Sequence, residues 1–280
     1  MKRILVTGMH SYLGNSFARF VSQWPEQYEV DFVDLKTDTW KEKDFGFFDS
    51  IYHVAGIAHR KETAENANEY FEINRDLSIS VAKKAKAEGV KQFIFLSSGS
   101  VYGMESGIIT KETPLNARTS YGKSKAEAEK ELRKLEDKKF RVAILRPLMV
   151  YGKNCEGNFQ EIIKIVKRSP VFPRVRNQRS LIYIDNLSSF VKMAIDKQLS
   201  GIYFPKNAEE VGTCEIAKGV AETLGKKIYM SWMLGGMVYL FRNMSGVMKK
   251  AFTNLTYSGT EEFDYSYCVI DTKESIRESV

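Results

Sequence analysis

The sequence predicts an α/β fold, with a doubly wound parallel sheet followed by a smaller, mixed C-terminal lobe. Short apolar runs alternate with longer helical patterns through roughly the first 150 residues, the order that gives a parallel sheet with helices on both faces. After residue 152 strands and helices follow no such order. With 280 residues and 43% apolar content, the chain can bury a large core. We therefore predict a sheet domain at 1–152 and a lobe at 153–280, some of whose strands return to the main sheet.

The first strand, residues 2–8, ends in a glycine turn, and a helix is predicted after it at 15–24. Unpaired backbone N–H groups at the start of a helix point toward anions, so a strand, a tight turn and a helix form a cradle for a pyrophosphate. We assign to this cradle Thr7, Gly8, Ser11, Tyr12, Leu13 and Gly14.

The second strand, residues 28–34, ends in the carboxylate of Asp34, roughly twenty residues after the turn. A carboxylate at this point holds the ribose hydroxyls of a bound dinucleotide. It favours NAD over NADP, although the neighbouring Lys36 favours the opposite. We interpret Asp31 as an exposed strand residue, because Asp34 is the acid that ends the apolar run.

Helices are predicted at 67–88 and 120–135, and the second carries a tyrosine and a lysine four residues apart. Tyr121 and Lys125 therefore share one helix face. We expect the ammonium group of Lys125 to lower the pKa of the Tyr121 phenol, because a nearby positive charge favours the phenolate. Such a phenol can take a proton from a sugar hydroxyl while hydride leaves the same carbon.

Taken in order, these residues resemble the extended short-chain dehydrogenase/reductase family, in particular its NAD-dependent epimerases and dehydratases of nucleotide sugars. Residues 1–200 carry the resemblance, and the last eighty residues carry little of it. The resemblance implies a Rossmann-type sheet, NAD as the cofactor, and a homodimer formed through helices 67–88 and 120–135. It implies a catalytic Ser98 that hydrogen-bonds the reacting hydroxyl beside Tyr121 and Lys125. It also implies cofactor contacts from Ala55, Gly56, Asn74, Tyr121, Lys125 and Pro147.

The chain departs from the family pattern in two places. Ser11 stands where the family's turn has its middle glycine, so the loop must differ slightly or use the hydroxyl as a donor. The segment between Asp34 and Ile51 is short and polar, where the family has a strand whose final acid contacts the adenine. We therefore expect an abbreviated adenine pocket.

The resemblance assigns three further residues to a nucleotide-sugar substrate, which we expect to be UDP-linked. Ser100 faces the sugar beside Ser98, and Asn158 contacts the diphosphate or the sugar. Arg179 matches an arginine that binds the diphosphate, and a planar guanidinium suits bidentate phosphate binding. The lobe that holds this substrate is predicted to contain helices at 158–168 and 213–224, the second capped by Thr213. Strands are predicted at 179–184 and 201–204, with Asp185 and Asn186 capping the helix between them.

Several reactions share this chemistry, and the residues after Ser98 select among them. Family members that carry out 4,6-dehydration typically have Asp-Glu there, whereas this chain has Gly99 and Ser100. The motif around Tyr121 is typical of 4-epimerases, so we favour a UDP-hexose 4-epimerase that acts through a 4-keto sugar. The shortened C-terminus is more like bacterial reductases of UDP-4-keto-6-deoxy sugars, which serve surface polysaccharide synthesis. A non-catalytic dinucleotide-binding regulator also stays open, because the turn at Ser11 and the adenine pocket are atypical.

Composition and residue spacing argue against a nucleic-acid-binding, disulfide-rich, secreted or metal-binding protein. The formal charge of +7 is spread along the chain and fits attraction to an anionic nucleotide sugar, so no nucleic-acid partner is expected. Three distant cysteines fit a reducing, cytoplasmic location rather than a disulfide scaffold. No signal peptide is expected, because the first apolar run ends at Thr7. No histidine–carboxylate cluster indicates a metal site, and we interpret His53 as a core histidine.

The longest apolar run, residues 232–241, is too short to span a bilayer. We favour a core or dimer helix for this run. The alternative is a helix that docks on the inner membrane surface, helped by the nearby Arg242, Lys249 and Lys250.

Overall fold

The computed structural model describes residues 1–58, 60, 62–241, 252–260 and 263–280, and it divides into two compact units. The first unit comprises Met1–Gly103, Pro114–Pro147 and Leu187–Pro205, and the second comprises Met104–Thr113, Leu148–Asn186 and Lys206–Val280. Both units are therefore built from separate chain segments, whereas the domains predicted at 1–152 and 153–280 are continuous.

The first unit is built on a parallel sheet of six strands. The strands are β1 (Lys2–Thr7), β2 (Tyr28–Val33), β3 (Ser50–His53), β4 (Gln92–Leu96), β6 (Arg141–Leu145) and β10 (Gly201–Tyr203). Their order is β10-β6-β4-β3-β1-β2, and every pairing is parallel. The strand order reverses between β1 and β3, and the carboxyl edge at such a reversal is where α/β sheets bind ligands. The predicted fold class is confirmed, and strand β10, at the position predicted for a strand of the lobe, lies at one edge of the main sheet.

The helices of this unit cover an almost wholly apolar sheet. They are α1 (Tyr12–Val21), α2 (Ala67–Phe71), α3 (Ser78–Ala87), α4 (Ser120–Leu135) and most of α6 (Ile184–Asp196). A π-helical segment, Glu72–Leu77, joins α2 to α3, so the helix predicted at 67–88 is nearly continuous. Fully buried Phe93, Phe95 and Val81 lie in the hydrophobic cluster between sheet and helices. Helix α6 begins at Ile184, so the capping role predicted for Asp185 and Asn186 is wrong.

Residues 34–49 contain only a 3₁₀ turn at Asp38–Lys41, so the strand that the family pattern has here is missing, as the sequence indicated. The segment instead buries Trp40 and Phe45, whose rings lie 6.4 Å apart, in the hydrophobic cluster. Strand β2 is therefore the edge of the sheet on the side where adenine is expected.

The described part of the second unit includes three short strand pairs and several helices. The pairs are β5 (Gly107–Ile109) with β12 (Leu255–Tyr257), β7 (Val150–Tyr151) with β9 (Ile182–Tyr183), and β8 (Val171–Pro173) with β11 (Tyr229–Ser231). The helices are α5 (Asn158–Arg168), α7 (Thr213–Thr223), α8 (Trp232–Phe241) and α9 (Thr272–Glu278). The cap of α7 is Gly212, whose N–H donates to the Glu215 carboxylate at 2.8 Å, and Thr213 is the first helical residue, so the predicted cap is wrong. The strand predicted at 179–184 shortens to Ile182–Tyr183.

Helix α8 is apolar yet mostly exposed. Met233 is 76% exposed and Leu240 74%, whereas Gly235 and Val238 on the other side are buried. The core-helix interpretation therefore holds for one face only. Arg242, Lys249 and Lys250 lie outside the described residues. No helix within the described residues is both long and apolar enough to cross a bilayer.

Candidate active site

The turn after β1 has the shape of a phosphate cradle. Gly8 has a φ of +87°, and a Cβ there would lie 3.3 Å from the Ala55 backbone. At Gly14 a Cβ would lie 2.8 Å from the Val6 side chain, so only glycine lets α1 approach the sheet this closely. Helix α1 begins at Tyr12, three residues earlier than predicted, because Ser11 caps it.

Ser11 resolves the departure from the family's glycine pattern. Its Oγ accepts a hydrogen bond from the Gly14 N–H at 3.3 Å, and its backbone φ of −69° is ordinary for any residue. The side chain therefore serves as the helix cap and leaves its own O–H proton available to an anion. Leu13, in the first turn of α1, is half-buried.

Thr7 and His53 tie the cradle to the neighbouring strand. Both are fully buried, with Thr7 Oγ1 3.0 Å from His53 Nδ1. The same hydroxyl accepts from the N–H groups of Val54 and Ala55. The other ring nitrogen of His53 lies 2.8 Å from Ser78 Oγ, and burial lowers the pKa of His53 to about 3. His53 is thus a satisfied, neutral core histidine, as interpreted from the sequence.

Gly56 and Asn74 form the floor beside the cradle. The fully buried Asn74 accepts from the Ile57 N–H at 2.9 Å and donates to the Ile57 carbonyl at 3.1 Å. A Cβ at Gly56 would lie 2.7 Å from Asn74 Oδ1 and 3.5 Å from Lys125 Nζ. Asn74 therefore holds the loop that follows β3.

Asp34 directly follows β2, at the carboxyl edge of the sheet. Val33 accepts from the Gly8 N–H at 3.1 Å, which keeps the end of β2 beside the cradle. Within the described residues, the carboxylate of Asp34 accepts one hydrogen bond, from the Lys36 N–H. It can therefore accept further hydrogen bonds from a ligand. Asp31, by contrast, pairs with Lys43 at 2.6 Å and is exposed. The cradle, the Gly56 floor and Asp34 together fit a dinucleotide.

Ser98, Tyr121 and Lys125 all belong to the first unit, at the end of β4 and the start of α4. Ser98 Oγ donates to Ser100 Oγ at 3.1 Å. Burial raises the pKa of Tyr121, and the neighbouring Ser98 side chain only partly opposes this shift. The sequence expectation of a lowered pKa is therefore not met in the chain alone.

Lys125 explains this difference. Its ammonium group donates to the Leu96 carbonyl at 2.9 Å and lies 4.5 Å from the centroid of the Phe95 ring. Burial lowers the pKa of Lys125 to about 8, against the opposing charge of Glu129. The two residues thus share a helix face, but the ammonium group donates its hydrogen bond to a carbonyl of β4.

A buried ion pair missed by the sequence analysis supports these residues. Arg146, at the end of β6, binds both oxygens of Glu129 and donates to the Tyr102 hydroxyl at 2.7 Å. Ser97 donates to the same carboxylate and so belongs to the buried network. Glu129 lies four residues after Lys125, so the repeat of Tyr121, Lys125 and Glu129 on one helix face is the signal that could have revealed it.

The loop before α2 also contacts the catalytic helix. Glu62 accepts from the Ser120 N–H at 3.0 Å and from its hydroxyl at 2.7 Å, placing a carboxylate at the start of α4. The Tyr70 ring meets the Tyr121 ring edge-on, with centroids 6.3 Å apart. Nothing in the sequence pattern indicated either contact. Pro147, buried after β6, accepts from the Gly99 N–H at 2.9 Å.

The two remaining substrate residues belong to the second unit. Asn158 is the first residue of α5 and half-buried. Arg179 is 6% exposed, and its guanidinium donates to the Thr253 carbonyl at 3.0 Å. Burial lowers the pKa of Arg179 to about 10, with no carboxylate counteracting it. The described part of the chain thus contains a buried arginine without an acidic partner.

Comparison with known proteins agrees with this architecture. A model of the NAD dependent epimerase/dehydratase family matches residues 4–203. The UDP-glucose 4-epimerase of Vibrio cholerae is 31% identical over 237 residues, which are 81% of this chain and 70% of that protein. An Escherichia coli O157:H7 protein named N-acetyl-alpha-D-glucosaminyl-diphospho-ditrans,octacis-undecaprenol 4-epimerase is 26% identical over 242 residues, covering 82% and 71% of the two chains.

Among solved structures, UDP-glucuronic acid 4-epimerase from Bacillus cereus, in complex with NAD, superposes with a TM-score of 0.76 at 18% identity. The match covers 99% of this chain and 95% of the other, and it shows a shared fold. The chain is an α/β enzyme of Rossmann type. It belongs to the NAD dependent epimerase/dehydratase family, and NAD is the cofactor that its cradle fits.

Proposed function

We propose that this protein is a nucleotide-sugar 4-epimerase, of the UDP-hexose type, that uses NAD. The observation that carries the proposal is the assembly of Ser98, Tyr121 and Lys125 within the first unit, next to a dinucleotide cradle. Gly99 and Ser100 supply no acid or base for loss of water, which argues against dehydration. The identity to the Vibrio cholerae enzyme supports the same reaction.

The cofactor would be held by the turn of Gly8, Ser11 and Gly14, by Asp34, and by the Gly56 floor, with Lys125 at the nicotinamide ribose. Bound NAD⁺ supplies a hydride acceptor and a positive charge. Because burial raises the pKa of Tyr121 in the chain alone, the base needs a cation beside it to become a phenolate. We assign that role to Lys125, whose ammonium already lies on the same helix face.

Tyr121 would take the proton from the C4 hydroxyl of the sugar, and Ser98, beside the phenol, would orient that hydroxyl. Loss of hydride from C4 to the acceptor together with this proton would leave a 4-keto sugar. Return of the hydride to the opposite face, and of the proton from Tyr121, would complete epimerisation. Arg179, buried with a carbonyl as its recorded partner, suits the diphosphate of the substrate, and Asn158 is assigned to the same ligand.

The first test is identification of the cofactor released from purified protein, followed by incubation with UDP-galactose and UDP-N-acetylgalactosamine. Retained NAD with interconversion to the C4 epimers and no net cofactor change supports the proposal. A UDP-4-keto-6-deoxy sugar is the third substrate, because stoichiometric NAD(P)H consumption on it alone would establish a reductase instead. A polyprenyl-diphosphate sugar is the fourth, since the Escherichia coli relative is named for such a compound.

Tyr121→Phe should reduce turnover by about 10²–10⁴-fold while NAD binding stays nearly intact, because only the proton-transferring hydroxyl is lost. Steady-state rates and NAD titration measure the two effects. Tyr229→Phe, at an exposed tyrosine of the second unit, is the matched control and should keep full activity. Near-normal turnover of Tyr121→Phe contradicts the assignment. The homodimer stays a prediction, which light scattering of the full chain tests.

A further inference from the structure

Helix α8 exposes a continuous apolar surface, the α8 face, made of Trp232, Met233, Gly236, Met237 and Leu240. At 3.6 residues per turn these positions lie on one side of the helix. Trp232 is 62% exposed, Met233 76%, Met237 49% and Leu240 74%. Soluble surfaces rarely carry so many large apolar side chains together without a partner, so the face indicates an interaction site.

The opposite side of α8 is fixed to the second unit. A Cβ at Gly235 would lie 2.1 Å from the Arg174 carbonyl oxygen, so the helix backbone rests directly on the segment after β8. Val238 is 9% exposed on the same side. Arg174 also covers one end of the face, with its guanidinium carbon 4.0 Å from the centroid of the Trp232 ring. Packing of the opposite side of the helix therefore fixes the α8 face toward the outside.

Exposed cations occur in the described segments that flank the strand pair leading into α8. Strand β11 leads into α8 and pairs with β8, and Arg174, directly after β8, contacts Trp232. We define the basic rim as the exposed Lys167, Arg168, Arg174, Arg176, Lys226 and Lys227. Lys226 Nζ donates to the Lys167 carbonyl at 2.6 Å, which joins its two halves. Neither residues 162–184 nor residues 223–260 contain an aspartate or glutamate in the sequence.

We propose that the α8 face docks on the surface of an anionic phospholipid bilayer. An apolar helix face flanked by cations matches the two layers of such a surface, acyl chains beneath phosphate groups. A helix of 10 residues is about 15 Å long, half the apolar thickness of a bilayer, so it lies in the interface rather than spanning it. Trp232 and the exposed Tyr229 are residue types that favour this depth.

Charge favours lipid over a second copy of the chain. A two-fold contact through the α8 face would bring the basic rim of one copy against the same rim of the other, which like charges oppose. A few side chains on one short helix also cover less than the roughly 800 Å² per partner of a stable dimer. An anionic bilayer instead neutralises the basic rim while it buries the α8 face.

The test is co-sedimentation of the full chain with vesicles of phosphatidylcholine alone and of phosphatidylcholine with phosphatidylglycerol. We expect binding to the anionic vesicles only, weakened by salt. Met233→Ser with Leu240→Ser should lower the partition coefficient at least about tenfold, because buried methylene groups are lost. Lys226→Glu with Lys227→Glu should lower it about fivefold or more per residue. Phe47→Ser, at a 65% exposed phenylalanine of the first unit, is the control and should bind normally.

Circular dichroism melting checks that each variant folds like the parent chain, since all the substituted side chains are exposed. Equal sedimentation of the parent with both kinds of vesicle, or parent-like binding by both double variants, overturns the proposal. So does a parent chain that ignores vesicles but forms a dimer that Met233→Ser with Leu240→Ser converts to monomer, because the α8 face would then be a self-association surface.

Discussion

The two units place equally buried arginines in opposite circumstances. Arg146 in the first unit is 5% exposed and Arg179 in the second 6%. Burial alone would lower the pKa of both, but hydrogen bonds and charge from Glu129 outweigh it at Arg146 and raise that pKa. At Arg179 nothing opposes burial, and the pKa falls to about 10.

This difference distinguishes a structural cation from one available to a ligand. The first unit satisfies its buried polar groups internally: Arg146 with Glu129, His53 with Thr7 and Ser78, Lys125 with the Leu96 carbonyl. The second unit buries Arg179 against a carbonyl alone among the described residues, at a cost in stability that an anionic ligand would recover. The comparison makes the first unit the preorganised one, and predicts opposite effects when each cation or its partner is removed.

The largest effect is expected at Glu129. Glu129→Leu leaves the Arg146 guanidinium buried without its partner, which should lower the free energy of unfolding by about 3–5 kcal/mol. Urea denaturation measures it. Glu127→Leu on the exposed side of the same helix, where the parent residue pairs with Arg75 at 2.7 Å, should change stability by no more than about 1 kcal/mol.

Replacing both partners sharpens the comparison. Glu129→Leu with Arg146→Met removes the uncompensated charge and should recover most of the loss. If the double variant is as unstable as Glu129→Leu alone, packing rather than charge pairing explains the loss, and the contrast with Arg179 fails.

The next effect is a gain in stability at Lys125. Below pH 8 the folded chain carries a buried ammonium whose pKa is about 8, against an ordinary value of 10.5, so charge on Lys125 opposes folding. Lys125→Met should therefore raise the free energy of unfolding by about 1–3 kcal/mol at pH 7 while activity is lost. The gain should shrink as the pH rises from about 8 and vanish near 10.5, where both states of the parent are neutral.

Unfolding midpoints across this pH range measure the Lys125 effect. Lys123→Met, at an exposed lysine two residues earlier, should show no such pH dependence. A destabilised Lys125→Met at neutral pH would mean that the contacts with Leu96 and Phe95 outweigh burial of the charge.

A smaller change in stability, with a larger change in binding, is expected at Arg179. Arg179→Leu should leave the free energy of unfolding within about 1 kcal/mol of the parent, or raise it, because it removes a cation with no acidic partner. The KM for the nucleotide sugar should rise about 10–100-fold with kcat less affected, since hydrogen bonds to a charged group are lost. Arg179→Lys keeps the charge without the planar guanidinium, so its KM should lie between those of the parent and of Arg179→Leu. An unchanged KM in Arg179→Leu would contradict the assignment to the diphosphate.

The sequence predicted the elements whose signals are local. Helices α4 and α5 have the predicted bounds, because apolar spacing and the cap at Thr119 act over one or two turns. The position of Asp34 after β2 and the missing strand before β3 followed from residue order in the same way.

Most of the sequence predictions that were wrong depended on contacts between residues far apart in the chain. The direction of the Tyr121 pKa is set by where the Lys125 ammonium points, and the Leu96 carbonyl that holds it belongs to another element. The start of α7 is the exception, because the Gly212 N–H donates to the Glu215 carboxylate only three residues later, a local signal that the sequence analysis overlooked. The exposure of α8 could not be predicted from the sequence, because a uniformly apolar run does not indicate which elements pack against it.

The smallest effect is expected at Ser11, where the internal pairing of the first unit reaches the cradle. Ser11→Ala removes the Oγ that accepts from the Gly14 N–H at 3.3 Å, and should cost about 0.5–1 kcal/mol in unfolding. Ser11→Gly restores the family's glycine and should cost only a few tenths, because glycine is itself an acceptable cap. Ser22→Ala, at the other end of α1, is the matched control and should change little. If Ser11→Ala costs no more than Ser22→Ala, the hydroxyl does not cap the helix, and its presence in place of glycine must be explained by the anion it contacts.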